Sequence, residues 1–312
     1  MQKTVYARHM SHSITPTKDR IGFAILLMLC ATFLIALQEA LIKFSTAELT
    51  VWQIFTIRGF FTIPLFLAMA WPARQVSATW RDAFHKWPMA RAACMTVMLV
   101  SVYAGIPFTP LATIVAGVYT APIFVALISA YFMNEPVGWR GWLGVVLGFL
   151  GVLFIVQPDS DSFSYITILP IIGGVFYALQ AIITRTKCRN ISPLTLSLSL
   201  TLFTLALGLI GTIIIVVINP ITEFPFLTNQ WFAMSPRTWI IITALVVLMA
   251  AIGIVMPMAY QNGPATIIAT FDYCFLVWAI ILGIALFGDY PNTASILGMV
   301  LIVAAGVLIS RK

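Results

Sequence analysis

Charge is scarce in this sequence: ten acidic and 17 basic residues make up 9% of 312 positions, against 61% hydrophobic side chains. A water-soluble domain carries far more ionic surface, so that class is excluded, and a mean hydropathy of +1.01 places the chain among membrane proteins. Regular alternation of apolar and polar residues is also missing. That excludes a β-barrel, whose strands of about ten residues need a polar lumen face, and leaves helices as the spanning element. The first twenty residues, with Lys3, Arg8, His9, His12, Lys18, Asp19 and Arg20, lack the apolar core of a signal peptide and read as a cytoplasmic tail, 1–20. Histidine is limited to His9, His12 and His85, all outside the apolar runs. With no G-x-S-x-G, H-E-x-x-H or paired-aspartate motif, nothing points to an intramembrane enzyme. Cys30, Cys94, Cys188 and Cys274 share no metal-like spacing and read as small apolar filler, so neither metal nor cofactor is called for.

Long apolar sequence is what the chain has in abundance. A span needs roughly 20 mostly apolar residues, and ten such runs lie near 21–44, 49–70, 89–107, 111–133, 140–157, 165–185, 194–219, 238–259, 265–287 and 292–310. The expected fold is therefore all-α and integral to the membrane, with ten transmembrane helices. Numbering the spans from a cytoplasmic N-terminus puts 14 of the 17 basic residues on the inner side, leaving Lys43 and Arg237 outside and Arg58 within a span. By the positive-inside rule this orients both termini to the cytoplasm. The net charge of +7 is thus a topology determinant and asks for no nucleic-acid partner. Trp71, Trp80, Trp87, Trp139, Trp142, Trp231 and Trp239 sit at or near span ends, where indoles meet membrane lipids.

One plan occurs twice. The stretch Pro110–Gln157 returns 154 positions later as Pro264–Arg311, each copy running from proline through apolar sequence to an acid, Glu135 or Asp289, and then to a second apolar run with Gly144 or Gly298. Tyr119 falls on Tyr273, Leu143 on Leu297, Val146 on Val300 and Ile155 on Ile309. At an offset of 142, Ala36-Leu37-Gln38 is matched by Ala178-Leu179-Gln180. Five spans per half is an odd number, so the halves, 21–157 and 165–310, enter the membrane in opposite senses. Such inverted repeats suit alternating access around a site near the midplane. Pro64 is expected to interrupt the second helix, and 105–110 and 257–264 are expected turns or hinges. Gly141, Gly144, Gly148 and Gly151 form a small-residue face for close packing, within a monomer or between the monomers of a weak dimer.

The segment ending in Asn134-Glu135-Pro136 and followed by Gly141-Trp142-Leu143-Gly144-Val145-Val146-Leu147-Gly148 resembles the second part of an EamA domain, as does Gly288-Asp289 followed by Leu297-Gly298-Met299-Val300-Leu301. The chain is thereby similar, over nearly its whole length, to the ten-helix EamA-type transporters of the drug/metabolite transporter superfamily. The resemblance implies two inverted five-helix repeats around a central cavity, a bacterial cytoplasmic (inner) membrane location, and movement of a small-molecule metabolite. It leaves the substrate open, because that scaffold handles amino acids, nucleosides, cofactors and drugs.

Ionisable residues deep in a span are costly and commonly functional, which singles out Glu39, Arg58 and Asp272. Glu39 and Arg58 lie at similar depth, Arg58 roughly 13 Å in from the outer side at helical rise. They could pair, or together bind the ammonium and carboxylate ends of an amino-acid-like or nucleoside-like zwitterion. The competing reading for Glu39 is an i,i+4 pair with Lys43. An acid followed by Ala-x-x-Lys, with arginine in the next helix, is similar to a branch of these transporters that includes riboflavin and S-adenosylmethionine uptake systems. Asp272 could carry a proton coupled to transport, or be a buried acid held by hydroxyls or by Arg58. Gly173, Tyr177, Gln180 and Thr184 share a polar face, with Gln38 as the mirror partner of Gln180, lining a cavity or joining helices. Tyr103, Tyr119, Tyr260, Tyr273 and Trp278 offer rings to a planar or cationic substrate, and Glu135 and Asp289 are expected to cap helices. The expected function is a secondary transporter; an exporter of hydrophobic drugs, and a passive channel or scaffold, are the alternatives. With both termini inside, green fluorescent protein fused after Lys312 is expected to fluoresce and alkaline phosphatase fused there to be inactive; the opposite pattern would reverse the orientation.

Overall fold

The computed structural model describes residues 20–45, 48–72, 74–105, 117–132, 138–156, 168–218, 225–287 and 293–310. The tail before Arg20, the turn at 106–110, and the acids Glu135 and Asp289 lie outside the described residues. Among the described residues the fold is all helical: α1 Ile21–Ser45, α2 Val51–Ala70, α3 Val76–Ala83, α4 Lys86–Gly105, α5 Ala121–Phe132, α6 Trp139–Val156, α7 Ile168–Thr186 and α8 Pro193–Ile218. The short α9 Pro225–Thr228 follows, then α10 Pro236–Asn262, α11 Ala265–Phe271, α12 Cys274–Leu282 continuing into a π-helical turn Gly283–Phe287, and α13 Thr293–Ser310. Six spans in this set are long and apolar enough to cross a membrane, and shorter apolar helices lie within α6 and α13.

Helix starts follow local side-chain chemistry. Thr50 Oγ1 accepts from Gln53 N at 3.2 Å, and Ser235 Oγ accepts from Thr238 N at 3.2 Å with Pro236 at the first helical position. The prolines act differently from the expectation above. α2 passes through Pro64 without a break, and α10 passes through Pro257 to Asn262, so Tyr260, Gln261 and Asn262 are helical and the turn is reduced to Gly263 and Pro264. Pro257 cannot donate to the carbonyl of Gly253, and Ser197 Oγ from α8 donates to that carbonyl instead. A neighbouring hydroxyl thus replaces the missing bond, which is how proline is tolerated in a spanning helix.

The packing displays the inverted repeat. The most extensive contacts join α6 to α13, α4 to α7, α2 to α8 and α1 to α10, each pairing one half with the other. Exchanging the halves turns α1·α10 into α7·α4 and leaves α2·α8 and α6·α13 unchanged. The lesser contacts of α12 with α1 and of α5 with α7 are related in the same way.

The fourth span of each half tightens at the same register, while the second-half span, expected as one run, stays continuous over Ala265–Leu286 with Asp272 and Tyr273 in right-handed helical conformation. Helix at Gly117–Val118 gives way to a turn at Tyr119–Thr120 before α5, and α11 gives way to a turn at Asp272–Tyr273 before α12. The bonds at these turns are tight three-residue ones: Thr120 N to Gly117 O at 3.2 Å, Tyr273 N to Thr270 O at 3.3 Å, and Phe275 N to Asp272 O at 3.0 Å. The two turns touch, with Tyr273 Oη donating to Tyr119 O at 3.1 Å and the tyrosine rings 5.8 Å apart. Gly148 makes room for this crossing, since a Cβ built there would lie 2.5 Å from Cε2 of Tyr273. One turn on, a Cβ at Gly151 would lie 2.8 Å from the Gly298 carbonyl oxygen of α13. At Gly148 and Gly151 the glycine face therefore packs within one chain. Gly148→Leu is expected to lower the thermal midpoint of the detergent-purified protein by the equivalent of about 1–3 kcal/mol of overpacking, while Gly22→Leu, where a side chain meets open space, leaves it unchanged.

Candidate functional site

Glu39, Gln38 and Arg58 are brought together. Arg58 is buried two turns into α2, roughly 10 Å from its start at 1.5 Å per residue. Its Nη1 donates to Gln38 Oε1 over a long 3.5 Å, its Cζ lies 5.6 Å from the centroid of Phe55, and its charge acts on the Glu39 carboxylate. The Glu39 side chain is exposed although the protein surrounds its position. Phe23, Leu26, Cys30 and Phe33 form the outward stripe of α1. Glu39, six residues beyond Phe33, is rotated well off that stripe at 100° per residue. A carboxylate facing hydrocarbon would be costly, so the accessible side of Glu39 is expected to meet water in a crevice of the bundle. The Lys43 side chain, its alternative partner, lies outside the described residues.

Asp272 belongs to a second, closed group. It sits at the turn between α11 and α12, buried, and accepts from the Tyr177 hydroxyl of α7. Tyr177 also lies beside Tyr260 of α10, whose Oη is buried without a hydrogen bond of ordinary geometry. Gln180, three residues along the same face of α7, is buried with Oε1 unpaired. The mirror partners Gln38 and Gln180 thus have different surroundings. Tyr119 stands between the two groups, within electrostatic reach of both Glu39 and Asp272 and stacked on Phe275 at 5.7 Å. Tyr273 takes part in the helix crossing. Trp278 packs edge-on to Phe33 at 5.4 Å with its buried Nε1 unpaired, and the Tyr103 side chain lies outside the described residues.

Arg91 was grouped with the orienting basic residues, but it is buried in α4: its Nε donates to Thr184 Oγ1 at 2.8 Å and its Nη1 to Leu196 O at 3.4 Å. Thr184 thereby joins helices. The third apolar run begins near 89, so Arg91 stands at its edge, where an interfacial arginine also stands, and nothing in the sequence separates the two cases.

The end of the bundle that carries most of these arginines is fastened across α7, α8 and α10. Gln261 Nε2 donates to the carbonyls of Cys188 at 2.7 Å and Ile191 at 2.8 Å, while the Gln261 carbonyl accepts from Arg185 at 3.5 Å and Arg189 at 3.2 Å. Lys86 and Lys187 each place Nζ 5.3 Å from the ring centroid of Trp87. At the opposite end residues 225–235 fold over α2, with Trp52 Nε1 donating to Leu227 O at 2.7 Å and Gln53 Nε2 to Phe232 O at 2.9 Å. A separate groove of about 640 Å³, lined by Leu37, Leu41, Trp239, Ile240, Val247 and Leu248 among others, is apolar and faces out of the bundle.

The sequence profile of the EamA-like transporter family matches residues 22–157 and 164–311. Over 271 residues the chain is 23% identical to a riboflavin transporter of Rhizobium johnstonii, covering 87% of this chain and 83% of the relative. It is 25% identical over 296 residues to the pseudopaline exporter CntI of Pseudomonas aeruginosa, covering 94% and 98%. With an S-adenosylmethionine uptake transporter of Rickettsia bellii it shares 21% identity over 209 residues, 66% of this chain and 65% of the relative. A solved crystal structure superposes with a TM-score of 0.71 at 15% identity, over 92% of this chain and 95% of that one.

The fastened end makes a prediction of its own. Burial pushes the Cys188 thiol up to about 11, against a smaller downward pull from Arg91. Because the thiolate is the nucleophile, a variant keeping Cys188 alone is expected to react slowly with a maleimide at pH 7 and faster as pH rises toward that value. Gln261→Ala, which removes two bonds holding the 187–192 segment, should speed labelling by about tenfold at fixed pH. Equal rates in the two proteins would show that Gln261 does not close this end.

Proposed function

We propose, for a chain that belongs to the EamA-like transporter family and is a membrane transporter, that its cargo is a small polar zwitterion, amino-acid-like or nucleoside-like. The observation that carries this reading is the exposed Glu39 carboxylate within electrostatic reach of the buried Arg58 guanidinium, with Gln38 beside it. Opposite charges on one crevice wall suit a molecule with a cationic and an anionic end. Arg58 is buried, so its interaction with an anionic group is screened less than it would be in bulk water. Arg58 presents a planar fork to a carboxylate, Glu39 accepts from an ammonium or similar cation, and the Tyr119 ring supplies an aromatic wall. The relatives bear the names of a riboflavin transporter, an S-adenosylmethionine uptake transporter and a pseudopaline exporter. S-adenosylmethionine, which has both charges and a nucleoside, is the first compound to try.

The halves 21–157 and 165–310 rock about the Tyr119–Tyr273 crossing, exposing the crevice alternately to the two sides of the bacterial cytoplasmic membrane, with both termini in the cytoplasm. In the present state the basic end is fastened by Gln261 and Arg91, so the crevice opens toward the other end. A single chain contains both repeats and both site groups, so a monomer suffices for this cycle.

A thermal-shift screen of the purified protein against amino acids, nucleosides, S-adenosylmethionine, riboflavin and polyamines tests the reading, since a ligand of the folded state raises the midpoint by mass action. Glu39→Gln and Arg58→Ala are each expected to weaken binding and transport of the hit by about 30-fold or more while the protein still inserts and purifies. Wild-type rates in both variants would discard the site. A screen answered by bulky hydrophobic cations alone would replace the zwitterion with a drug-like cargo.

A further inference from the structure

We propose that the apolar groove on the seam of α1 and α10 binds one phospholipid with a primary-ammonium headgroup, of the phosphatidylethanolamine class, whose chain lies in the groove and whose headgroup meets Arg237 and Glu48. The site is separate from the crevice, and the proposal stands whatever cargo the crevice takes. At about 640 Å³ the groove has the volume of an ordinary small-molecule site. Leu37 and Leu41 form one wall, and Trp239, Ile240, Val247 and Leu248 form the other. At 100° per residue Leu37 and Leu41 continue the outward stripe of Leu26, Cys30 and Phe33, and Glu39 is on the opposite side of the helix. Ile240 and Val247 are 71% and 58% exposed, so the groove is open to the surrounding hydrocarbon.

Length and charge select the occupant. From Arg237 to Leu248 α10 advances about 16 Å at 1.5 Å per residue. One leaflet's share of the hydrocarbon core is roughly 15 Å, so the groove has the reach of one acyl chain. Arg237 lies on the same stripe of α10 as Ile240, Ala244 and Leu248, at spacings of three and four, and it stands at the end of the groove where the helix begins. Glu48, in the turn that follows α1 and tied by its N–H to Ser45 O at 2.9 Å, places Oε1 3.5 Å from Arg237 Nη1. Trp239 stands beside this end, edge-on to Phe61 at 6.1 Å, where an indole takes the membrane interface.

The Arg237–Glu48 contact is long, and its side chains are 64% and 36% exposed, so the pair by itself contributes little to the fold. A guanidinium with five donors and a carboxylate with two oxygens can each take a further partner. Opposite charges side by side complement a headgroup that carries both: Arg237 holds the phosphate, and Glu48 accepts from the ammonium. A purely anionic headgroup would bring its charge beside Glu48 with nothing to offset that carboxylate, and a choline ammonium has no N–H to donate. A free phosphate or amine would use the pair but leave the apolar walls uncovered. Because α1 and α10 belong to opposite halves and their contact is among the most extensive in the molecule, a lipid seated on this seam touches both halves and stabilises their present arrangement.

The test needs no cargo. The full-length protein is stripped of lipid in detergent, and its thermal midpoint is followed as phosphatidylethanolamine, phosphatidylcholine or phosphatidylglycerol is added to the micelles. Phosphatidylethanolamine is expected to raise the midpoint saturably by about 3 °C or more, reaching half its effect at a mole fraction about fivefold below that of the other two. Glu48→Gln, a surface change that should leave the lipid-free midpoint within about 1 °C, is expected to bring phosphatidylethanolamine and phosphatidylcholine within about twofold of each other. Val247→Trp, which fills the groove from an exposed position, should abolish the phosphatidylethanolamine shift while the lipid-free midpoint holds. Equal responses to the three lipids in the wild type, the mark of ordinary boundary lipid, overturn the site, as does no response or a strongest response to phosphatidylglycerol. An undiminished preference in Glu48→Gln, or a full shift in Val247→Trp, overturns it as well. The metabolite screen is read independently, so loss of the zwitterion leaves this site standing and loss of this site leaves the zwitterion.

Discussion

The hydrocarbon core offers no hydrogen-bond partner, so every backbone N–H and C=O inside it must be satisfied by the protein itself. Much of the architecture follows from that constraint. It makes the spans helical, and it explains why α10 can carry Pro257: Ser197 of α8 donates to the Gly253 carbonyl that proline leaves free. It also keeps irregular backbone to tightened turns. Both of these, at Tyr119–Thr120 and Asp272–Tyr273, occur where the halves meet, and each keeps its local bonds and touches the other.

On this paired frame the chemistry is asymmetric. The helix contacts map onto themselves when the halves are exchanged, and the tight turns coincide at the offset of 154. The acids do not follow: the counterpart of Asp272 at that offset is Val118, and the counterpart of Glu39 at the offset of 142 is Ala181. Each acid is present in one copy only. Duplication accounts for the framework, while the single charges distinguish the two sides of the molecule. An alternating carrier needs both, because its two end states must be nearly equal in packing energy and yet differ in what they bind.

The division between an accessible crevice and a closed polar cluster has a physical consequence for binding. On the reading proposed above, a ligand at Glu39 and Arg58 displaces water, and its affinity depends on how well it restores the hydrogen bonds that water made. Asp272 is buried already and is held by Tyr177. Tyr119 links the two because one residue supplies the ring near both acids and the carbonyl that accepts from Tyr273.

Several levels were legible in the sequence. Apolar runs with few charges dictate spanning helices, and the repeated proline, acid and glycine spacing dictates two halves. The odd number of spans per half makes them inverted, and Glu39, Arg58 and Asp272 stand out as charges inside hydrocarbon. These features follow from local composition and from the solvent, which act on a chain before any tertiary contact exists. The tertiary structure alone decided the rest. It brought Gln38 and Glu39 to Arg58 but kept Asp272 apart with Tyr177, and it turned Arg91 from an orienting charge into a buried tie between α4, α7 and α8. It let Pro64 and Pro257 stay within helices and tightened the helix at Asp272–Tyr273, where the sequence shows neither proline nor glycine. The reason is the same in each case: a hydroxyl, a carbonyl or a glycine notch on a distant helix supplies the partner or the space, and one-dimensional sequence does not record which distant residues will meet.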